Sequence, residues 1–424
     1  MAQTDQKLVQ AGQVQIEECI LIQNGGDAID FIEQLDSITL YEDLYSPFIT
    51  GYITVTDTLD IPGHVGRAGR DLLKLKVFTP TIDKKNYIEG VFVIYKMSDR
   101  VEVRDRMQGY YLHFASYEFM IDMMKAVSRT YVGTPSDLAK TILETQLGTT
   151  KNINLETSAN ALKYTSNFWS PSKNLLYLAN HALNNTQGAT YMFYENRDGF
   201  NFRTLESINS ENVIQKFYGN DFTTETNTVD GAIRFGTSKR DPMKDYQSIT
   251  GLRIDTAFDF LKDYSDGMIK TKMYSHDLVT KRLDIKTVDL VSDTLTKINK
   301  NRLYTDNVVD KTDPVLMNMN RHFDVLDKGD GTDFRWKQKR IMQLGQYRAG
   351  IVEIEVYGRT DYTVGKKVSL DLNKMTSIGK QDTRDSYLDK LYSGNYVITA
   401  IVHTINRQEH RCNIELAKTH TNSD

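Results

Sequence analysis

The chain is poor in cysteine and in proline. Cys19 and Cys412 are the only cysteines among 424 residues, and they lie near opposite ends. Two isolated thiols build neither a disulfide framework nor a zinc cluster. Both sit in strand-like runs and read as small buried apolar groups. Seven prolines in the whole chain exclude long proline-rich linkers and favour closely packed domains. No apolar run approaches the roughly 18 residues needed to cross a bilayer, and Met1–Gln10 lacks the apolar core of a signal peptide. The expected setting is the cytosol, or a particle assembled there, with no stable membrane association. Excess positive charge is lacking too. With 52 Lys+Arg against 56 Asp+Glu the net charge is −4, which argues against a protein that coats nucleic acid. The charge is uneven: residues 334–424 carry 15 Lys+Arg and 10 Asp+Glu, or +5, leaving −9 for the rest. A basic tail on an acidic body suits subunit packing, and chance accounts for it equally well.

What is present is strand pattern. The length implies roughly two to four domains. In Ile49–Thr56, Ile49, Ile53 and Val55 take one face and Thr50, Tyr52, Thr54 and Thr56 the other, the period-two signature of a strand with one buried and one wet side. Val91, Val93, Tyr95 and Met97 mark a long strand with Phe92 and Ile94 opposite. The first domain is therefore read as a β-barrel or sandwich over 1–117.

A small α+β domain is expected over 118–210. Thr134-Pro135 and Ser170-Pro171 each open a helix with a capping hydroxyl and a proline at the first position. Gly148 ends the first. The second carries an apolar stripe at Leu175, Leu178/Ala179 and Ala182/Leu183. Tyr191–Glu195 and Phe200–Leu205 read as a hairpin. Residues 211–344 form a middle segment with strands at Tyr246–Ile254 and Met268–Tyr274. A polar excursion spans 294–333, and the segment partly completes its neighbours. A helix over Phe334–Tyr347 leads into a last domain, 345–424, with four strands. In the third of these, Tyr396, Ile398, Ala400 and Val402 are expected to oppose Val397, Thr399, Ile401 and His403. Gly51–Thr54 and Gly394–Thr399 look faintly alike, as a duplicated barrel would require.

No motif for catalysis survives inspection. Gly25-Gly26-Asp27 lacks the rest of a dinucleotide fingerprint, and Gly365-Lys366 lacks the glycine and hydroxyl of a phosphate loop. Asp327–Gly331 fails the calcium-loop spacing. Ser170-x-x-Lys173 matches an acyl-enzyme dyad by letters, but capping explains Ser170. His403 and His410 can face each other across a hairpin, yet without a third ligand metal binding is not expected. No cofactor is expected. The 24 tyrosines and 17 phenylalanines fit subunit interfaces and ordinary sheet preference alike.

Lys239-Arg240-Asp241-Pro242-Met243-Lys244 has no catalytic logic. Three features carry a resemblance instead: this segment after Ile233-Arg234-Phe235; the Phe168-Trp169-Ser170 lead-in to a helix and hairpin; and the ending Gly365-Lys366-Lys367-Val368, Ser393–Ile398 and a final strand through Leu416. In their shared order they resemble the central baseplate hub of T-even-type contractile-tailed phages, a family also similar to the hub part of type VI secretion spike proteins. The excursion at 294–333 is longer than the family pattern, and the family's Ser-rich tail is not seen.

The resemblance implies a mainly β fold with α+β insertions, containing two similar β-barrel tube domains. It implies a virion protein of the tail baseplate, assembled in the host cytoplasm as a homotrimer. Six barrels would then form a pseudo-hexameric ring between a six-fold tail tube and a three-fold spike. Its partners would be the central spike, tail tube or tube-initiator ring proteins and the tape measure protein, with DNA only in transit through a channel. The polar faces holding Thr50, Tyr52, Thr54, Thr56, Ser369 and Asp371 are expected to line that channel. Dense Lys/Arg there would hold the duplex by its phosphates. A tail-associated cell-wall glycan hydrolase is the second reading and needs an acid pair in a cleft. A third, a carbohydrate- or nucleic-acid-binding β protein, predicts salt-dependent binding to DNA.

Overall fold

The computed structural model describes residues 10–23, 28–58, 60–64, 71–80, 86–104, 106–185, 188–219, 228–229, 232–233, 245–254, 259–277, 281–289, 306–321, 333–374, 388–389 and 391–421. Lys239–Lys244 and Asp327–Gly331 lie outside them. One sheet of thirteen strands draws on both ends of the chain.

The first part holds β1 (Gln15–Ile22), β2 (Ala28–Asp30), β3 (Leu35–Asp43), β4 (Thr50–Asp57), β5 (Leu72–Phe78), β6 (Ile88–Arg104) and β7 (Met107–Ser116). Their spatial order is β3-β4-β7-β6-β5-β1-β2. The alternation read from β4 is realised: Gly51, Ile53 and Val55 are buried, while Thr50, Tyr52, Thr54 and Thr56 are half-buried on the other face. Ile53, Val55, Leu73, Leu75, Leu112 and Phe114 meet in one core.

A unit of α1 (Tyr117–Met124), β8 (Val127–Gly133), α2 (Pro135–Ile142), β9 (Ile153–Leu155), β10 (Leu162–Trp169), α3 (Pro171–His181), β11 (Tyr191–Asn196), β12 (Gly199–Thr204) and α4 (Leu205–Asn209) follows. Both helices start where the capping residues put them. Thr134 and Ser170 accept the backbone N–H of Asp137 and Lys173, each at 3.3 Å. Gly148 takes φ +62° after the helical run, a conformation glycine adopts without steric cost. The hairpin pairs Tyr191 with Thr204 through to Asn196 with Gly199.

The remainder comprises β13 (Val213–Tyr218), β14 (Thr228–Val229), β15 (Ala232–Ile233), β16 (Ile249–Ile254), α5 (Phe260–Ser265), β17 (Lys270–Asp277), β18 (Leu283–Asp289), α6 (Asp306–Lys311), β19 (Val315–Arg321), α7 (Asp333–Ala349), β20 (Ile351–Tyr357), β21 (Lys367–Asp371), β22 (Gly394–Asn406) and β23 (His410–Thr421). Part of the polar excursion is thus regular structure. β19 pairs in parallel with β17, from Thr271–Val315 to Asp277–Arg321. Its alternation of Val315, Met317 and Met319 with Asn318 and Asn320 is blurred by Leu316. α7 packs over this small sheet, where Gln338 donates to the Thr271 hydroxyl at 2.9 Å.

The face assignment for β22 needs correction. Past the bulge between Ile398 and Ala400 the buried set becomes Ile401, His403 and Ile405, not Ala400 and Val402. One extra residue in a period-two strand turns every later side chain to the opposite face.

The strand order recurs. β1, β3, β4, β5, β6 and β7 lie in the spatial order β1-β5-β6-β7-β4-β3. β13, β16, β20, β21, β22 and β23, in the same chain order, lie as β13-β21-β22-β23-β20-β16. All pairs within the two sets are antiparallel except β13–β21, which is parallel. The faint likeness of Gly51–Thr54 to Gly394–Thr399 does not track this recurrence: it falls on β4 and β22, whereas β22 corresponds to β6. The two sets are fused through β22 and β3, paired from Ala400–Asp43 to Asn406–Ser37. Each keeps its own core; that of the second centres on Val352, Ile354, Val368, Leu370, Ile398 and Ile414.

Candidate functional surface

The ladder registers place one continuous surface across eight strands, because residues directly opposite in a ladder share a face. It runs from Gly251 and Arg253 of β16 to Glu353, Glu355 and Tyr357 of β20, then to Glu415, Asn413 and Arg411 of β23. From there it passes through Ala400, Val402 and Thr404 of β22 to Asp43, Tyr41 and Thr39 of β3. Thr50, Tyr52 and Thr54 of β4 continue it to His113 and Tyr111 of β7 and to Lys96 and Ser98 of β6. The opposite face is the apolar core.

The charge on this surface is balanced. Arg411 pairs with Glu355 at 2.8 Å, and Arg253 with Glu353 at 3.4 Å. Asp43 and Glu415 add further carboxylates. Exposed pairs of this kind add little stability, but they neutralise the guanidinium groups that would otherwise seek phosphates. The middle of the surface is aromatic: Tyr52 stands edge-on to Tyr111 with centroids 5.5 Å apart and lies 6.3 Å from Tyr41. Thr50, Tyr52, Thr54 and Thr56 are half-buried along it, and the Thr56 hydroxyl donates to Asp36.

Ser369 of β21 pairs with Asn395, and Lys367 with Val397, so by register the same side of the sheet reaches β21, although Val397 is fully buried there. Ser369 is half-buried there. Asp371 is only 6% exposed and pairs with Lys216 at 2.7 Å. It meets a lysine of the neighbouring strand, not open solvent.

Carboxylates also gather in a cavity of roughly 270 Å³ lined by Glu42, Ile49, Lys151, Glu195, Arg197 and Asp198. They serve as staples between elements. Glu195 of β11 accepts the Ile49 N–H at 3.0 Å, the Ser116 hydroxyl at 2.6 Å and the Lys151 ammonium at 2.6 Å. Lys151 also reaches Glu118 at 2.6 Å. Burial raises the Glu195 carboxyl, opposed by Lys151. Burial would lower Lys151, but Glu195 and Glu118 outweigh it and hold the ammonium above its ordinary value. Glu42 of β3 accepts the Thr363 hydroxyl at 2.5 Å and the Val364 N–H at 3.1 Å, and burial lifts it to about 7.

His403 and His410 do meet across their hairpin, and the structure adds a third group. His403 Nδ1 lies 2.9 Å from His410 Nε2, and Cys412 Sγ lies 3.2 Å and 3.4 Å from those atoms. Cys412 is two residues from His410 on the same face of β23 and directly opposite His403. All three are fully buried. The 2.9 Å spacing is that of a hydrogen bond; two nitrogens on a tetrahedral zinc at 2.0–2.1 Å stand about 3.3 Å apart. Among the described residues no fourth His, Cys, Asp or Glu joins them. The trio is a neutral hydrogen-bonded cluster, and burial holds His403 down at about 3. Ser170 and Lys173 form no dyad: the Ser170 hydroxyl caps α3, and the Lys173 ammonium sits 5.0 Å over the Trp169 ring.

No model of a known protein family matches the chain. Over 305 residues it is 24% identical to the probable baseplate hub protein gp334 of Vibrio phage KVP40. This chain resembles a phage baseplate hub protein. The match takes in 66% of the chain and 65% of the hub relative, just under two thirds of that protein's length. Two solved structures share the fold. One is a tail protein from Neisseria meningitidis MC58, with TM-score 0.55 and 9% identity, covering 95% of this chain and 96% of that one. The other is the 43 kDa tail protein of prophage MuSo2 from Shewanella oneidensis, with TM-score 0.52 and 11% identity, covering 95% and 98%. Hub likeness and tail-protein fold thus agree on a mainly β architecture. Among the described residues no helix is long and apolar enough to cross a membrane.

Proposed function

We propose that the chain is the structural hub of a contractile phage tail baseplate and carries no enzymatic activity. The observation that supports this best is the recurrence of one six-strand order, in β1 and β3–β7 and again in β13, β16 and β20–β23, with the two sets joined in a single sheet by the pairing of β22 with β3. A chain with two comparable modules fills six positions with three copies. In this reading residues 1–117 and 345–424 are tube-like modules. Residues 118–210 form an α+β domain, and 211–344 supplies strands to its neighbours. The homotrimer is a pseudo-hexameric ring that adapts a six-fold tail tube, or its initiator ring, to a three-fold central spike. The tape measure protein and, during delivery, DNA pass through its channel.

The balanced surface with Thr50, Tyr52, Thr54, Thr56 and Ser369 faces that channel, and Asp371 lies at its margin. Its two arginines, Arg253 and Arg411, already sit beside carboxylates, which leaves few sites for the phosphates of a passing duplex. Like its hub relative, the protein would reside in the baseplate of the virion. Light scattering and negative-stain images of the purified chain, alone and with a spike protein, test the proposal. A particle of three 48.6 kDa chains with six lobes and a central pore is expected. A monomer under all conditions, including with the spike, overturns it.

A further inference from the structure

We infer that neighbouring copies of this chain are joined by antiparallel pairing of β16 of one copy with the outer half of β6 of the next. The inference rests on the ring reading above and names the joint that the ring requires.

The argument comes from the joint already present within one chain. β22 is longer than its neighbour β21. Its first residues, Gly394–Val397, pair with β21, and the continuation, Ala400–Asn406, pairs antiparallel with β3 of the other module. β22 therefore offers a socket beyond the end of β21, and β3 fills it.

The counterparts of β22, β21 and β3 are β6, β5 and β16. β6 likewise outruns its neighbour: Ile88–Val93 pair with β5, and the Ile94 N–H donates to the Asp71 carbonyl at 3.1 Å. From there to Arg104, β6 pairs only with β7 among the described residues. Among the described residues β16, the counterpart of β3, has one ladder partner, β20, while Ser248 just before it is bridged to Tyr218 of β13. Each copy thus has one socket filled from within, a second socket at β6 and a matching strand at β16.

Exposed hydrophobics fit this joint. Tyr95, Val101 and Val103 of β6 are 51%, 60% and 54% exposed, and Leu252 of β16 is 39% exposed. A long edge carrying such residues invites pairing with another chain. Because strand and socket are different surfaces, the contact is head to tail, and such contacts close into rings when the rotation allows. A second copy of this chain is the occupant whose shape is already seen at the β3–β22 joint.

Disulfide trapping tests the inference. Directly opposed residues in an antiparallel ladder have Cα separations within disulfide range. Cysteine at Arg253, which lies on the same face as Lys96 and Ser98, is combined, one variant at a time, with cysteine at Lys96, Ser98 or Val101. The native thiols Cys19 and Cys412 are buried. Tyr41→Cys with Val402→Cys, opposite each other in the internal joint, serves as the positive control. Oxidation is expected to give covalent dimers and trimers in high yield for one or two neighbouring combinations, with no such products from the single variants. If the three-chain particle forms and the control oxidises, but no combination links the copies, this joint is wrong while the ring stands. A wild-type chain that never leaves the monomer removes ring and joint together.

Discussion

Val402 stands directly opposite Tyr41 in adjacent antiparallel strands. This pair is one of seven through which β22 and β3 join the carboxy-terminal strands to the amino-terminal ones in a single sheet. The half-exposed surface on which both residues lie is continuous for that reason.

The charge balance of that surface makes it weakly adhesive to nucleic acid. Glu353→Lys with Glu355→Lys removes one carboxylate partner each from Arg253 and Arg411 and adds two cations. The assembled wild-type protein is expected to show weak binding to short duplex DNA in fluorescence anisotropy. The double variant is expected to bind measurably, with an affinity that falls steeply as salt rises. Equal binding by both proteins would mean that this surface is not what meets the duplex.

Glu195 ties Ile49 just before β4, the end of β7 and Lys151 together at the boundary between the first module and the α+β unit. Glu195→Ala leaves the Lys151 ammonium and the Ile49 N–H without that acceptor. Breaking a buried pair costs about 3 kcal/mol or more, read as a lowered urea midpoint. Adding Lys151→Met should recover part of the loss.

Glu42 is expected to make stability fall with rising pH. Its folded carboxyl titrates at about 7, above the ordinary 4.5, so the native state favours the neutral acid. Its contribution is complete below about pH 4.5 and is lost as the pH climbs through 7. Glu42→Gln keeps a neutral acceptor for Thr363 and Val364. Comparing unfolding midpoints at pH 5 and pH 7.5, the variant should lose less stability than the wild type. Parallel behaviour of the two proteins would count against an acid held neutral by burial.

Arg340 of α7 is nearly buried and donates to the Ala189 and Tyr191 carbonyls and to Asn180 Oδ1. Arg340→Lys cannot reproduce a planar fork to three acceptors. A loss of about 1–3 kcal/mol is expected from the unsatisfied carbonyls. Limited proteolysis should then cut near α7 sooner than in the wild type.

Cys19 and Cys412 are both 0% exposed, and burial pushes both thiols far above their ordinary range. Reactivity follows thiolate and access. Neither should react with a neutral maleimide in the native protein, and both should react in denaturant. Rapid native labelling of Cys412 would show that the cluster with His403 and His410 opens in solution.

Much of the fold was legible because it is local. Thr134 and Ser170 announce their helices through hydroxyls that satisfy N–H groups three residues on, and β4 and β20 alternate cleanly with period two. The face of β22 past Ile398 was not legible, since a bulge depends on the partner strand and leaves no mark in residue type. The role of Asp371 was hidden likewise: period two puts it beside Ser369, but Lys216 comes from β13, far back in the chain. The likeness between Gly51–Thr54 and Gly394–Thr399 misled, because β-strands of similar burial converge on similar residues wherever they lie in a sheet.

By itself the sequence determined where helices start and which strand faces repel water, because both follow from neighbours a few residues apart, and its composition gave no excess of positive charge. Only the tertiary structure decided that the two ends share one sheet, that six strands recur in the same order and that Glu42 and Glu195 act as fasteners. Those outcomes depend on which distant backbones find each other's unpaired N–H and C=O groups, and many pairings satisfy the same local pattern.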